Sequence, residues 1–521
     1  MRLLFPIGLA ALLGFSAAAP ATADEPPGLE AALAHIGEDS LKGHVSFLAS
    51  DLLEGRDTPS RGLDLAALYI ASQFRAAGLQ PLGDDGYFQT AKWVLSKSDP
   101  DAFRLQIDLA GKAFTIPVEG VSLNAPSTGP GIQLDGVGLF KVDATDAETL
   151  SKVTEEQVGG KVVVTKLADP RSIPQANRGA AFRAQRAFIE RLGELKAVAV
   201  LSLDSASPIG SGVGPGRLID PEATRQAPIQ LAVNRPTMIA LHEPAAVAAL
   251  EALPVGPIDA RLSLSVAPST DRPAIVRNVI GMLKGSDPEL ASTYVMVTAH
   301  YDHLGTGTAV DGDRIFNGAN DDASGTASVV EIAGALATLK ERPKRSIVFM
   351  TFFGEEKGLL GSRYYAKHPA VPLAGTVADI NLEHVGRTDD LEGPTEGKAS
   401  MTGFDFSDLG TIFQAAGKAE QIEVTKHPKN SDLFFSRSDN QALADLGIPA
   451  HSLCTAFLFP DYHALGDHWE KLNYPNMVKV DRLVARALVS IADNPEAPRW
   501  NAENPKAKAY LDAWQTLHPS K

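Results

Sequence analysis

Five short clusters of acidic and histidine residues in the second half of the chain are the residues best suited to chemistry. They are His300-Tyr301-Asp302, Asn317-Gly318-Ala319-Asn320-Asp321-Asp322-Ala323-Ser324-Gly325, Gly354-Glu355-Glu356, Glu383-His384 and Tyr462-His463. Imidazole nitrogens and carboxylate oxygens are common zinc ligands, and the two oxygens of a carboxylate can bridge two ions. Cys454 is the only cysteine, which excludes an internal disulfide and a cysteine-rich zinc site. Any metal must therefore be held by histidine, aspartate and glutamate.

The same residue types fit hydrolysis at a metal centre. Two metal ions a few ångströms apart can share a hydroxide and stabilise a tetrahedral intermediate. Of two adjacent glutamates, such as Glu355 and Glu356, one can bind metal while the other accepts a proton from water. An aspartate two residues after a ligand histidine, as Asp302 follows His300, can accept the second ring N–H and fix the tautomer.

Apolar runs in front of these clusters indicate the elements that position them. Residues 294–299, 346–353 and 377–382 are largely apolar, as expected of strands that are buried on both faces. Residues 329–336 lie between the first two runs and carry apolar side chains at helical spacing. This order predicts an α/β fold, with a mostly parallel central sheet flanked by helices. Ligands bind beyond the carboxyl ends of such strands, which is where the clusters stand.

The rest of the chain predicts a second, inserted domain. A chain of 521 residues is too long for one ordinary core. Stretches rich in proline, glycine and serine at 126–131 and 268–273 bound a smaller α/β or β-rich insertion without a histidine–carboxylate cluster, which we expect to cover or shape the site. The predicted organisation is a signal peptide at 1–23, a first segment of the main domain at 24–126, the insertion at 127–268, a second segment with the metal site at 269–495, and a C-terminal tail at 496–521.

The N-terminus resembles an export signal. Arg2 precedes an apolar run at 3–15, and Ala21-Thr22-Ala23 forms a small-residue cleavage pattern. The alternative is a membrane anchor, but the run is shorter than the roughly 20 residues that a spanning helix needs. We therefore expect a periplasmic or extracellular protein without stable membrane insertion.

The charge of the chain excludes some partners. The formal net charge is −15 and the sequence pI is about 5.3. This balance argues against a nucleic-acid partner and against docking on an anionic membrane. No pattern in the sequence indicates an oligomeric state.

Together with the five clusters, three further motifs resemble a known family. They are His44-Val45-Ser46-Phe47-Leu48-Ala49-Ser50-Asp51, Glu54-Gly55-Arg56 and Arg277-Asn278-Val279-Ile280-Gly281. The family is that of the co-catalytic zinc peptidases typified by secreted bacterial leucyl aminopeptidases, which are relatives of glutamate carboxypeptidase. The likeness covers roughly residues 40–125 and 275–490, and the combination N-D-D-x-S-G, G-E-E-x-G-L-x-G-S and Y-H-x-x-x-D is highly specific. The insertion is similar to the protease-associated domain that some members carry.

The resemblance implies an aminopeptidase with two Zn²⁺ ions that acts on peptides with a free N-terminus. Its implied roles fall on eight residues. Asp321 would bridge the ions, His300 and Glu383 would complete one, Glu356 and His463 would complete the other, Glu355 would be the general base, Asp302 would support His300, and Tyr462 would hydrogen-bond the developing oxyanion.

Several residue assignments have alternatives. Asp322 could replace Asp321 as the bridge, and His384 could ligate in place of Glu383, where the family usually has aspartate. Asn440 stands where the family commonly has histidine, in Ser438-Asp439-Asn440, and we expect it to alter the rim of the pocket. Tyr462 could be a packing residue. The remaining histidines near the motifs are expected to pack, to line the rim or to form hydrogen bonds; they are His303, His451 and His468.

Three other functions compete with the aminopeptidase. A carboxypeptidase for acidic C-terminal residues would need a basic pocket, for which Lys357, Arg387 and Arg437 are candidates. A glutaminyl-cyclase-like transferase would use one zinc ion, whereas His300 and Glu383 preserve the second site. A non-catalytic, metal-free relative would have neutral residues at the ligand positions, and none of the five is replaced in that way.

Overall fold

The computed structural model describes residues 26–123, 131–143, 152–167, 175–203, 216–222 and 236–519. The predicted signal peptide at 1–23 lies outside these residues. None of the described helices combines the length and the apolar character that crossing a membrane requires.

The described strands and helices run in the following order. The strands are β1 (Gln80–Pro81), β2 (Phe88–Lys97), β3 (Arg104–Leu109), β4 (Lys112–Ile116), β5 (Val121–Leu123), β6 (Ile132–Lys141), β7 (Val162–Thr165), β8 (Ala199–Leu203), β9 (Arg217–Ile219), β10 (Thr237–Leu241), β11 (Gly256–Val266), β12 (Thr270–Leu283), β13 (Tyr294–His300), β14 (Gly305–Val310), β15 (Asp313–Phe316), β16 (Ser346–Phe352), β17 (Thr376–Leu382), β18 (Asp389–Asp390), β19 (Gly393–Pro394), β20 (Lys398–Met401), β21 (Glu423–Thr425) and β22 (Ala450–Cys454). The helices are α1 (Leu29–Leu33), α2 (Glu38–Leu48), α3 (Arg61–Ala76), α4 (Glu155–Val158), α5 (Gln175–Glu194), α6 (Pro244–Glu251), α7 (Ser324–Ala337), α8 (Leu360–Lys367), α9 (Leu409–Ala419), α10 (Asn430–Leu433), α11 (Asn440–Ala444), α12 (Tyr474–Asp493) and α13 (Lys508–Leu517).

The larger sheet has ten strands, and four parallel strands form its centre. The strand order is β21-β20-β22-β17-β13-β16-β12-β2-β9, with β1 beside β12. Strands β16, β13, β17 and β22 run parallel, whereas β12 and β2 extend the sheet in antiparallel fashion. The predicted α/β fold with a parallel central sheet and flanking helices is confirmed, with antiparallel pairing on both sides of the parallel strands, at β12 and at β20.

The central strands are apolar along their whole length because both faces of the sheet are covered. Val295 and Val297 of β13 belong to the core that includes residues of α7 and α12. Met296 points to the other face, where the core contains Phe435 and Trp500. Since successive residues of a strand face opposite sides, the strand must be apolar at every position.

The smaller sheet has eight strands and its own core. Its order is β4-β3-β11-β6-β7-β8-β10-β5, and its interior includes Ile107, Val164, Leu201 and Leu262. The unit starts earlier than the predicted boundary at residue 127. Strands β3 to β5 belong to it because β3 pairs along β11 and their apolar side chains pack in the same core. The first segment of the main domain therefore ends with β2.

The C-terminal segment predicted as a tail packs on the larger sheet. Trp500 is 5% exposed, and its Nε1 donates a hydrogen bond to the carbonyl oxygen of Gly447 at 2.7 Å. Its ring stacks on Tyr510 of α13, with ring centroids 5.1 Å apart. The segment is thus part of the core of the main domain.

Truncation of this buried tryptophan tests that packing. We expect Trp500→Ala to lower the free energy of unfolding by about 3–5 kcal/mol, because it removes a large buried side chain and leaves a cavity. The matched control is Trp514→Ala in the same segment, at a residue that is 37% exposed. The control should cost less than about 1 kcal/mol. Urea unfolding followed by far-ultraviolet circular dichroism measures both losses, and equal losses would contradict the packing described.

Candidate active site

The four parallel strands bring the sequence clusters to one edge of the sheet. His300 is the last residue of β13, Glu355 follows β16, Glu383 follows β17, and the loop after β22 carries His463. Asp321 lies in the turn that leads into α7. Because the carboxyl ends of parallel strands meet at the same edge, residues far apart in sequence become neighbours.

The carboxylate of Asp321 is the centre of the cluster. Its Oδ1 lies 3.3 Å from His300 Nε2 and 3.4 Å from His384 Nε2, and its Oδ2 lies 3.2 Å from His463 Nε2. Asp321 is only 2% exposed. Two of these histidines were predicted ligands, whereas His384 was an alternative to Glu383. The structure therefore places the predicted bridging residue between several imidazoles.

Glu356 forms the second side of the cluster. Its Oε2 lies 3.3 Å from His463 Nε2, and its Oε1 lies 2.9 Å from His303 Nδ1. His303, Asp321 and Glu356 each offer one possible ligand atom, and these atoms lie within 4.8 Å of one another. The sequence predicts that His303 packs, lines the rim or forms hydrogen bonds, and the structure places it fully buried inside the cluster, beside Glu356. The signal that could have identified it is its position in the same loop as His300 and Asp302.

The unpaired atoms of the cluster fit a metal centre. His300 Nε2, His303 Nε2 and His384 Nε2 are buried without a hydrogen-bond partner. Buried nitrogen and oxygen atoms of this kind are costly unless they bind something. Histidine nitrogens and carboxylate oxygens are also the donor set that zinc accepts. The residues present therefore fit the metal that the sequence predicts.

The charge interactions within the cluster also favour bound cations. Desolvation opposes ionisation of Glu356, but its contacts with His303 and His463 hold its pKa at about 2. Desolvation likewise opposes protonation of His463, yet Asp321 and Glu356 raise its pKa to about 10. The pKa of His384 is raised to about 9, again against desolvation, mainly by Asp321. The carboxylates thus require positive charge beside them, which bound cations would also supply.

The backbone of the Asp321 turn is held by Asp467. Both carboxylate oxygens of Asp467 accept the N–H of Asn320 at 3.0 Å, and one also accepts the N–H of Asp321 at 3.1 Å. Asn320 Oδ1 in turn accepts the N–H groups of Gly386 and Arg387 at 2.9 and 2.8 Å. Asp467 is the last residue of the Y-H-x-x-x-D motif, and its role was not predicted. It ties the turn to the loop that carries His463.

Asp322 makes different contacts from Asp321. Its Oδ1 accepts the N–H of Gly325 at 3.1 Å and that of His384 at 3.3 Å. A side chain at Gly325 would place its Cβ 2.5 Å from Asp322 Oδ2, so the glycine of the motif allows this close packing. The geometry favours Asp321 over Asp322 as the shared carboxylate, because Asp321 contacts the histidines.

Asp302 joins His300 to the general-base candidate. His300 Nδ1 lies 3.2 Å from the backbone oxygen of Asp302 and 3.5 Å from its Oδ1. The same Oδ1 accepts the N–H of Glu355 at 3.0 Å, and Oδ2 accepts the hydroxyl of Thr58 at 3.2 Å. The predicted support of His300 by Asp302 thus consists of a contact with its backbone oxygen and a longer contact with its carboxylate.

A buried arginine lies beneath the cluster. Arg56 donates hydrogen bonds to the carbonyl oxygens of Tyr301, Asn317 and Gly318 at 2.8, 2.7 and 2.9 Å, and also to that of Leu48. Desolvation lowers its pKa to about 10, although neighbouring carboxylates act to raise it. The Glu54-Gly55-Arg56 motif was noted in the sequence without a role. Its arginine fixes the two loops that carry His300 and Asp321.

Glu355 and Glu383 lie at the more open side of the cluster. Both side chains are partly buried, and the Glu383 carboxylate lies 4.0 Å from His384 Nε2. Desolvation, with Glu356 and Glu383 nearby, raises the pKa of Glu355 well above its ordinary value. A raised pKa is the property that a proton-accepting carboxylate needs.

Tyr462 covers the cluster from the solvent side. Its ring stacks on His463 at 4.0 Å and lies edge-on to His384 at 5.3 Å, and the residue is 36% exposed. Desolvation of its hydroxyl and the nearby carboxylates raise its pKa well above the ordinary value, so it stays a hydrogen-bond donor. This placement suits the predicted contact with an oxyanion.

The remaining predicted residues lie away from the cluster centre. His451 is buried, and its Nε2 forms a hydrogen bond with Ser407 Oγ at 2.8 Å, as expected of a packing histidine. His468 is partly exposed near Asp313, as expected of a rim residue. Asn440 is not at the rim. It is fully buried and donates to the backbone oxygens of Phe435 and Ala450, so this departure from the family pattern belongs to the core.

Comparisons with known proteins agree with this geometry. Residues 278–488 match the model of peptidase family M28. A probable zinc metalloprotease of Pyrenophora teres f. teres is 40% identical over 128 residues, which are 24% of this chain and 26% of that protein. Aminopeptidase Y of Saccharomyces cerevisiae is 26% identical over 260 residues, which are 46% of this chain and 43% of that protein. The matched regions span less than half the length of these relatives.

A solved structure shows the same fold. The zinc aminopeptidase BSAP of Bacillus subtilis superposes with a TM-score of 0.56 at 20% sequence identity. The superposition covers 91% of this chain and 97% of that one, so it includes both sheets. The α/β fold with its inserted unit is therefore shared with this enzyme.

Removal of one supporting carboxylate tests the architecture of the site. We expect Asp467→Asn to weaken metal binding by about 10- to 100-fold, because it removes a charge that holds the N–H groups of the Asp321 turn. The matched control is Asp461→Asn in the same loop, where Asp461 pairs with Arg387 and Lys471. Its effect should stay within about threefold. Chelator competition measures the zinc affinities of both variants. If Asp461→Asn bound zinc as weakly as Asp467→Asn, the role assigned to Asp467 would be contradicted.

Proposed function

Because residues 278–488 form a peptidase family M28 domain, we propose that the protein is an exported zinc aminopeptidase that removes the N-terminal residue of peptides. The observation that carries the proposal is the contact of Asp321 with imidazoles on both of its oxygens, close to the partly buried Glu355. This arrangement supports two zinc ions that share one carboxylate. The export part of the proposal rests on the N-terminal sequence pattern.

In the proposed mechanism, the side chains on each side of the cluster would hold one of the two ions. Asp321 would bridge the ions, with His300 and Glu383 on one side and Glu356 and His463 on the other. Bound zinc supplies Lewis acidity toward the scissile carbonyl and makes a water molecule easier to deprotonate.

The remaining steps belong to the side chains. Glu355 accepts the proton of the attacking water and later transfers it to the leaving amine, for which its raised pKa is suited. The hydroxyl of Tyr462 donates a hydrogen bond to the carbonyl oxygen as that oxygen becomes negative. Glu355 and Glu383 lie together at the open side, where they would attract the α-ammonium group of a substrate.

The basic residues near the motifs argue against a carboxypeptidase. Arg387 is already paired with Asp389 and Asp461, and Lys357 Nζ lies 2.8 Å from Asp57 Oδ1. Arg437 lies over the ring of Phe434, at 4.7 Å. Two of the three candidate cations are thus neutralised, which leaves little positive charge for a substrate carboxylate.

A free substrate amine is the first requirement of this function. We expect leucine p-nitroanilide to be cleaved and its N-acetyl derivative to be cleaved at least about tenfold more slowly, because an uncharged amide leaves the carboxylates of the pocket unpaired. Release of p-nitroaniline by the zinc-loaded protein measures both rates. Similar rates would refute the aminopeptidase, and release of C-terminal residues from blocked peptides would indicate the carboxypeptidase.

The division of roles between the adjacent glutamates is the second requirement. Glu355→Gln should keep both zinc ions and lower kcat by roughly 10²–10⁴-fold, because it removes the proton acceptor. Glu356→Gln changes the neighbouring carboxylate by the same substitution and serves as its matched comparison. It should lose affinity for one of the two ions. Elemental analysis beside the kinetic assay separates these outcomes, and equal metal loss in both variants would contradict the assignment.

A further inference from the structure

The β14–β15 hairpin stands apart from both sheets and has its two ends in the candidate active site. Its strands pair with each other and with no other described strand. His303, which is buried beside Glu356, lies two residues before β14. The residue after β15 is Asn317, whose carbonyl oxygen is bound by Arg56. Both ends of the hairpin are therefore fixed beside the cluster.

The hairpin is preformed at its tip and at its base. Asp311 and Gly312 connect the strands with φ values of 53° and 92°, and positive values at both residues are typical of tight hairpin turns. At the base, Gly55 packs against the carbonyl oxygens of Gly305 and Phe316, because a Cβ on Gly55 would clash with both. A chain that binds along this hairpin would not have to order it first, which lowers the cost of binding.

The free edge of β14 begins at Thr306. The carbonyl oxygens of Gly305 and Phe316 are neighbours, since both would touch the same atom on Gly55. These two paired residues therefore point their backbone groups between the strands, and the next residue, Thr306, points its N–H and carbonyl oxygen outward. Thr306 is exposed, and no described residue outside the hairpin forms a hydrogen bond with its backbone. Unpaired backbone groups thus lie close to the cluster.

This edge lacks the residues with which proteins usually prevent strand pairing. Residues 305–310 are Gly-Thr-Gly-Thr-Ala-Val, without a charge or a proline. The neighbouring strand β15 carries both Asp313 and Arg314. Charged side chains and prolines on an exposed edge keep other strands from pairing with it. The uncharged sequence of β14 therefore indicates an edge that is open to a partner strand.

The peptide substrate of the proposed aminopeptidase is the strand that fits this edge. Its first residue must lie at the cluster, so the rest of the peptide runs away from the cluster. β14 also begins beside the cluster and runs away from it, and the two chains would therefore pair in parallel. β14 has six residues, and at about 3.3 Å per residue it can pair with about five residues of a substrate. The free edge is thus continuous with the place where the scissile bond would lie.

We propose that β14 binds the part of the substrate that follows the scissile bond, as an added parallel strand held by hydrogen bonds between the two backbones. This inference rests on the proposed aminopeptidase. It assigns to the enzyme extended peptides of several residues in preference to dipeptides. Hydrogen bonds to the backbone do not depend on the side chains of the peptide, so the enzyme would accept varied sequences after the residue that it removes.

A length series of substrates tests the added strand on the unsubstituted, zinc-loaded protein. Leucyl peptides that carry one, three or five alanines and an amidated C-terminus differ only in the chain after the scissile bond. We expect kcat/KM to rise by about tenfold or more from the shortest to the longest, because several backbone hydrogen bonds are added. N-methylation of single alanines should lower kcat/KM at alternate positions, since alternate residues of a strand bond to the same neighbour. Equal values across the series, or a methylation scan without alternation, would overturn the proposal.

Substitutions of Thr306 test the edge itself. Thr306→Pro removes the outward N–H, and it should lower the ratio of kcat/KM between the longest and the shortest peptide to within about threefold of unity. The matched control is Thr306→Val, which keeps the N–H and the branched shape and removes only the hydroxyl that accepts a hydrogen bond from Arg314 at 3.3 Å. The control should keep the ratio of the unsubstituted protein. The same ratio in both variants would contradict the assigned role of β14.

A binding measurement separates this inference from the proposed function. A labelled leucyl peptide with five alanines and a reduced first bond cannot be cleaved, and its binding is followed by fluorescence anisotropy. It should bind about tenfold or more tightly than the reduced peptide with one alanine, and Thr306→Pro should remove the difference. This result would support the added strand even if the protein cleaved no aminoacyl substrate, an outcome that would refute the proposed function alone. Equal binding of the two reduced peptides would overturn the inference.

A second copy of the chain is the other strand that could pair with β14. In that case the protein would form a dimer that sedimentation velocity detects at micromolar concentration and that Thr306→Pro dissociates. Such a dimer would overturn the proposal, because the edge would then be covered before a substrate binds. We expect instead that Thr306→Pro and the unsubstituted protein sediment alike.

Discussion

The structure depends on burying several carboxylates close together at the carboxyl ends of the parallel strands. Asp302, Asp321 and Asp322 are buried, with Glu355 and Glu356 beside them. Buried charges of one sign are tolerated only when opposite charge or hydrogen bonds compensate them. The site histidines and Arg56 provide part of this compensation, and the unpaired histidine nitrogens show where cations would provide the rest. The surrounding loops are arranged to meet this requirement.

Those loops are held by hydrogen bonds between backbone and buried polar side chains. Arg56 binds carbonyl oxygens on both the His300 loop and the Asp321 turn, while Asp467 binds the N–H groups of that turn. Asn320 continues the network to the loop after β17. Each ligand loop is thus tied to another ligand loop, and not only to its own strand. Such coupling fixes ligand positions more precisely than side-chain packing alone.

The clustering of the candidate site residues could be predicted from the sequence because its signals are local. Apolar runs that end in acids and histidines identify strand ends, and β13, β16 and β17 lie where those runs predict. The roles of Arg56, Asp467 and His303 could not be predicted, because each depends on contacts with distant parts of the chain. The start of the inserted unit was misplaced for a related reason. Strands β3 to β5 look like any other strands, and only pairing along β11 shows which sheet they join.

The inserted unit joins the main domain through neighbouring strands of the larger sheet. Apart from the short edge strand β9, which pairs with β2, the chain leaves the larger sheet after β2 and returns at β12. Strands β2 and β12 pair antiparallel from Phe88–Val279 to Lys97–Thr270. Departure and return are therefore adjacent, and the long excursion between them places no strain on the central strands. Arg56 precedes the insertion, whereas the loops that it binds follow it. The β2–β12 pair must hold these two segments in register, so the site depends on the pairing and not on the length of the insertion.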